Sequence, residues 1–255
     1  MGGKAGLAKF IFFTMTHILC FGGGVNSVAL AVRIVRERMP LDYILFSDTL
    51  GEKPETYQYF EILNGFLRQH GYPEITVLPP YRAEGLYGEC IRLKRLPSIV
   101  YGFKSCSEKW KRRPYLKFLK QNGLSKVTAY KGFDTDEEHR IKNYDTDVEK
   151  VRFPLIEWGM DRLDCVKEII DAGLPVPPKS ACFFCPSSHK QEVHDLKKSN
   201  PALLAAAQKM EQVAKPSLKT VRGLGRDWSW TELAKQSQFD FTTTKQPEIG
   251  CDCGL

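Results

Sequence analysis

Thr16-His-Ile-Leu-Cys-Phe21, then Gly22-Gly-Gly24, then Val25-Asn26-Ser27 and the run to Arg38 decide the fold. The first six residues are short, mostly apolar and partly β-branched, which predicts a buried strand. Three glycines end it. Val28, Leu30, Ala31, Ile34 and Val35 then recur at helical spacing. The unit repeats downstream. Tyr43–Ser47 predicts a second strand and Thr56–Gln69 a helix, with Tyr59, Phe60, Leu63, Phe66 and Leu67 on one side. Ile75–Leu78 predicts a third strand, Tyr115–Gln121 a helix and Val127–Tyr130 a fourth strand. Strands alternating with helices imply an α/β fold, a doubly wound, mainly parallel sheet with helices on both faces. After about residue 150 the pattern turns helical. Asp161–Ala172, Pro201–Ala214 and Trp228–Gln236 read as helices, and Pro175, Pro177 and Pro178 break the chain before a cysteine pair.

Composition narrows the class. The 255 residues are 42% hydrophobic and 26% charged, with a net charge of +7. That excludes a collagen, a low-complexity chain and a disordered acidic tail. The 8 cysteines are too few for a disulfide scaffold of this length and point to metal or reactive thiols in a reducing compartment. Phe10–Phe13 is far too short for a membrane span. Cytoplasmic location with no membrane association is the expectation. The positive charge is concentrated in Lys104, Lys109, Lys111, Arg112, Arg113, Lys117 and Lys120. Such a run serves as a solvated helix face or meets nucleic acid or nucleotide phosphates.

Gly22-Gly23-Gly24-Val-Asn26-Ser27 lets backbone approach a phosphate closely at a helix start, with Asn26 and Ser27 as added donors. It resembles the PP-loop of the adenine nucleotide alpha-hydrolase superfamily, with Gly22 in the place of that family's Ser and Asn26 in the place of its Asp. Ser47-Asp48-Thr49-Leu50-Gly51, followed by Pro54-Glu55-Thr56, resembles a segment of the sulfonucleotide reductases, the phosphoadenosine phosphosulfate reductase-like enzymes. Both motifs fall at the carboxyl ends of predicted strands, where an open parallel sheet binds ligand. Cys106-Ser-Glu-Lys109-Trp-Lys111-Arg-Arg113-Pro114 and Gly132-Phe-Asp134-Thr-Asp136-Glu137-Glu-His-Arg140 resemble two further stretches of these proteins. The resemblance implies an extension over 1–15, a nucleotide-binding domain over 16–160 and a helical region over 161–255. It also implies an adenine nucleotide, ATP or an adenylyl sulfate, on Gly22–Ser27. Asp48 and Thr49 line the pocket, and Lys109, Arg113 and Arg140 hold the anionic end.

Cys182-Phe-Phe-Cys185 has the spacing of two metal thiolates or a redox pair. Cys20 and Cys90 read as small buried hydrophobes. Cys182 follows Cys106 by 76 positions, a spacing similar to that of the reductases that carry a 4Fe–4S cluster. Their second cysteine of the first pair is Ser107 here, so Cys165 is the expected fourth ligand beside Cys106, Cys182 and Cys185. Zinc is the alternative metal. Asp252-Cys253-Gly254-Leu255 resembles the reductase tail whose cysteine is the nucleophile. Either Cys253 has that role, or Cys251 and Cys253 complete the metal site. The resemblance implies an oxidoreductase that reduces an adenylyl sulfate to sulfite with a thioredoxin-like reductant. The rival readings are an ATP-dependent enzyme that installs sulfur in tRNA or DNA, and a non-catalytic nucleotide or nucleic-acid-binding module. The sequence leaves the oligomeric state open.

Overall fold

A computed structural model of the chain describes residues 15–103, 105–142 and 144–236. Five strands form one sheet: β1 Thr16–Cys20, β2 Tyr43–Ser47, β3 Ile75–Leu78, β4 Val127–Lys131 and β5 Glu149–Arg152. Their order is β3-β2-β1-β4-β5, and all neighbours are parallel. The chain runs from β1 outward to β3, then returns across the sheet to β4 beside β1. The order thus reverses at β1, and the loops after β1 and β4 diverge there to leave a crevice at the carboxyl edge.

Side chains alternate across the sheet as a pleated strand requires. Leu19, Phe21, Ile44, Phe46 and Tyr130 face the layer of α1 (Val25–Arg36), α2 (Pro54–Gln69) and α6 (Arg162–Asp171). Ile18, Cys20, Leu45, Leu78, Val127 and Ala129 face α4 (Arg113–Gln121) through Tyr115 and Leu119. Helices therefore cover both faces, as expected for a parallel sheet. The short α5 (Pro154–Glu157) supplies Leu155 to the first layer. Asp161 caps α6 by accepting from the Asp164 N–H at 2.8 Å. Although α6 lies beyond residue 160, its Cys165 and Ile169 pack into the sheet layer beside α1.

A third core lies beyond that carboxyl edge. It gathers α3 (Gly85–Arg92), α7 (Lys190–Ser199), α8 (Pro201–Ala214) and α9 (Trp230–Leu233) around Trp110, Phe183 and Phe184. This is the helical, cysteine-bearing C-terminal part. Its last segment is held by one buried carboxylate. Glu211 on α8 accepts from the N–H groups of Leu224, Trp230 and Thr231 at 2.7–2.9 Å and from the hydroxyls of Ser229 and Thr231 at 2.6 and 2.7 Å. No helix among the described residues is long and apolar enough to cross a membrane.

Truncating Glu211 strands five donors at once. Glu211→Ala is expected to lower stability by roughly 3 kcal/mol, since breaking a buried charged network costs about 3–5 kcal/mol. Urea denaturation of parent and variant checks this, and a loss under about 1 kcal/mol, the net worth of a single hydrogen bond, would contradict it.

Candidate functional site

The glycine loop follows β1 at the point of strand-order reversal. Gly23 has φ +79°, in the left-handed region that suits glycine, and a Cβ there would lie 3.0 Å from Thr56 Cγ2. Gly22 and Gly24 stay half-buried and reachable. Ser27 opens α1 and donates its hydroxyl to the Gly24 carbonyl at 2.9 Å, which stiffens the loop.

Asn26 faces away from the glycines. Its amide donates to Asp134 Oδ2 at 2.8 Å and Glu137 Oε2 at 3.1 Å, and its carbonyl accepts from Arg162 at 2.7 Å. An aspartate here would set a third carboxylate against two others, so the amide is what the site requires. Burial raises the Glu137 carboxyl above its ordinary range, against the pull of Arg140. Arg140 pairs with Glu137 and stacks 4.8 Å from the Phe133 ring centroid, so it braces the loop after β4.

A strap from the C-terminal part crosses the carboxyl edge. Residues Glu52 and Cys182 form an antiparallel bridge, and the Phe183 N–H donates to the Gly51 carbonyl at 2.7 Å. Gly51 has no room for a side chain, since a Cβ would sit 2.8 Å from the Phe184 ring. Phe183 and Phe184, the two residues inside the C-x-x-C, are buried in the C-terminal core. Burying them leaves both thiols half-buried at the edge of a cleft, where Cys182 Sγ lies 3.1 Å from Thr49 Oγ1. Ser180, just before, has its hydroxyl 2.6 Å from the Gly22 carbonyl and 3.0 Å from Glu52 Oε2. One side chain therefore joins the glycine loop to the cleft wall.

The cleft is open to solvent and its cavity is small, about 50 Å³. Thr49, Glu52, Cys106, Lys111, Cys182 and Cys185 are its polar and sulfur-bearing lining, set among Leu86, Ile99, Phe184 and prolines. Burial pushes the Glu52 carboxyl above its usual range, while Lys111 and Ser180 pull it down. A buried carboxyl and a lysine facing thiols in a cleft are the groups that acid–base and anion chemistry use.

The expected set is thus only partly assembled here. Thr49, Cys106, Cys182 and Cys185 share the cleft. Asp48 is turned into its own loop, accepting from the Leu50 N–H at 2.7 Å and the Tyr57 hydroxyl at 2.9 Å. Lys109 pairs with the buried Glu89 and sits over Tyr81 and Trp110. Arg113 donates to the Tyr81 hydroxyl at 3.1 Å. Cys165 lies in the α1–α6 core, fully buried, and does not join the other three cysteines. A four-thiolate cluster needs four thiols in one place. Among the described residues no group of three or more His, Cys, Asp or Glu is placed to hold a metal ion. Three of those thiols do reach the cleft, but the described donor set does not fit the cluster. Cys251 and Cys253 lie outside the described residues, as does Lys104.

Three residues escaped the sequence reading as members of the site: Ser180, Glu52 and Lys111. Glu52 stands between two quoted motif segments with nothing local to mark it. Lys111 is one cation in a run, and it lines the cleft from the π-helix Ser107–Arg112. That wider turn breaks the 3.6-residue phase on which a sequence projection relies.

The fold and this edge define a class: an open parallel α/β sheet with a crevice at the carboxyl edge where the strand order reverses. The chain is similar to a crystal structure of phosphoadenylyl-sulfate (PAPS) reductase from Candida auris in phosphate complex, at 16% identity and a TM-score of 0.44 over 66% of this chain and 78% of that one. No protein-family model matches the chain. No curated protein matches it either.

Asn26→Asp is expected to cost roughly 2–3 kcal/mol at pH 7 by replacing two donated hydrogen bonds with like-charge contacts. The new carboxyl is harder to ionise folded than unfolded, so the deficit shrinks as pH falls toward about 4. Denaturation of both proteins at pH 7 and pH 4.5 measures this, and a deficit that grows on acidification would contradict it. Cys20, Cys90 and Cys165 are buried thiols pushed up to about 12. Iodoacetamide at pH 8 should spare these three in the native protein while labelling Cys185, as read by peptide mass spectrometry.

Proposed function

We propose that this chain binds an adenylyl nucleotide along Gly22–Ser27 and uses the adjoining thiol cleft on sulfur, reducing an adenylyl sulfate to sulfite. The observation that carries this reading is Ser180, whose hydroxyl touches both the Gly22 carbonyl and the cleft residue Glu52. The strap that carries Cys182 and Cys185 thus touches the glycine loop, so a nucleotide on the loop presents its anionic end to the thiols. Lys111 supplies positive charge in the cleft. The phosphate groups meet backbone N–H donors at the start of α1, a helix with no acidic residue in its first turn.

In this mechanism a thiolate attacks the sulfur of the adenylyl sulfate. The bond from that sulfur to the bridging oxygen breaks, and the nucleotide leaves with the electron pair. A thiosulfonate remains on the enzyme. A second thiolate then attacks the enzyme sulfur, sulfite leaves and a disulfide forms, which accounts for the two electrons. Cys253 is the proposed nucleophile, with a thioredoxin-like dithiol as the electron source. The proposed location is the cytoplasm.

Calorimetric titration with ATP and with adenylyl sulfates, beside assays for sulfite and pyrophosphate release, tests the reading. Sulfite without pyrophosphate is the expected result. Pyrophosphate release that needs added tRNA or DNA would replace the reductase with the sulfur-installing alternative. Gly23→Ala should weaken nucleotide binding at least tenfold, because the loop must abandon its left-handed turn. Unchanged affinity would remove the glycine loop from the site.

A further inference from the structure

Positive charge on this molecule is gathered beside the thiol cleft. Four cations crowd one place where the chain leaves β3. Arg82, Lys109 and Arg113 lie 5.7, 5.3 and 5.5 Å from the centroid of the Tyr81 ring. Arg95 joins them through Glu89, which pairs with Arg82 at 3.6 Å, Arg95 at 2.7 Å and Lys109. Glu89 is the carboxylate that pairs with this group, and it is buried. Arg82 and Arg95 remain half exposed, at 50% and 51%. Among the described residues these four bases share the single carboxylate Glu89, which leaves a local surplus of positive charge.

The surplus continues along α4. Arg113, Lys117 and Lys120 fall at i, i+4 and i+7, which puts them on one stripe of the helix. All three are exposed, and neither Lys117 nor Lys120 makes an ion pair among the described residues. The stripe spans roughly 10 Å at about 1.5 Å per residue. It begins at Arg113 on the Tyr81 ring, so cluster and stripe are one track. Lys109 and Lys111 belong to the same π-helix, and Lys111 lines the cleft. The loop that supplies Pro97, Ile99 and Cys106 to the cleft also carries Phe103, 69% exposed.

We infer that this track binds a single-stranded stretch of nucleic acid. Phosphodiesters supply the spaced negative charges that the cations lack, and cationic grooves with exposed aromatics are how unpaired strands are held. A duplex would offer phosphates alone and keep its bases from Phe103 and from a largely apolar cleft. The binding rests on this surface by itself and is independent of the sulfite-forming reading above.

Fluorescence anisotropy with a labelled single-stranded 12-mer of RNA and of DNA, the matching duplex and heparin tests the proposal. Lys117→Glu/Lys120→Glu is the diagnostic variant and Lys209→Glu, on an exposed position of α8, the charge control. The double variant should lose roughly tenfold or more in affinity for single strands, with a salt slope shallower by roughly 1.4, at about 0.7 per lost phosphate contact. Lys209→Glu should bind as the parent does. ATP titration of the double variant should match the parent, whereas Gly23→Ala should lose ATP and keep the oligonucleotide, so the two readings fail separately. Equal binding of the duplex or of heparin, or no loss in the double variant, would overturn the proposal.

Discussion

Two residues of β-type pairing, Gly51–Glu52 against Cys182–Phe183, carry the site. Without them the sheet would keep its glycine loop but lose one wall of the cleft, since Cys182 and Cys185 arrive only on the strap. The pairing is short, so its strength comes from what surrounds it. Phe183 and Phe184 are sunk in the C-terminal core, and the Phe184 ring fills the space above Gly51 that a side chain would need. Apolar burial on one side thus fixes where sulfur is presented on the other. The two aromatic residues between the cysteines are structural anchors, and the cysteines gain their placement from them.

Buried charge sets the remaining geometry. The π-helix Ser107–Arg112 is held at both ends by carboxylates from different parts of the fold: Lys109 on Glu89 of α3, and Arg112 on Glu149 of β5. Glu149 also accepts from the Tyr115 hydroxyl at 2.9 Å. Between these pins the helix backbone is fixed, and the Lys111 carbonyl accepts from Ser47 at 3.0 Å. A second network, Asn26 with Asp134, Glu137 and Arg162, locks the loop after β4 onto the start of α1. Pairs of this kind add little net stability, but removing one member leaves a costly unpaired charge, so they favour one geometry over its neighbours.

Much of the fold was legible because parallel strands write themselves as apolar runs. Tyr43–Ser47 and Ile75–Leu78 have the bounds their sequences suggest. β5 was not legible: Glu149-Lys-Val-Arg152 has one apolar residue and is a strand because β4 offers it a free edge. The glycine loop and the C-x-x-C announced themselves by local pattern. The partners that give them meaning did not, because Ser180, Glu52 and Lys111 are brought in by tertiary contacts across long sequence separations. Charge alone also misassigned duties. Lys109 and Arg140 are basic and near the edge, yet each is oriented by a neighbouring carboxylate, and only the fold reveals those acids.

The strap has a consequence for how the molecule comes into being. Thr49 and Cys182 meet across 133 positions, and Ser180 meets Gly22 across 158. Loops of that length close late and slowly, because chain entropy must be surrendered before the contact returns anything. A ribosome that has released only the first five strands holds a formed sheet with an open edge. The thiol cleft therefore closes only after the sheet is complete, and a chain cut short before residue 180 has every strand of the sheet but lacks the strap that finishes the cleft.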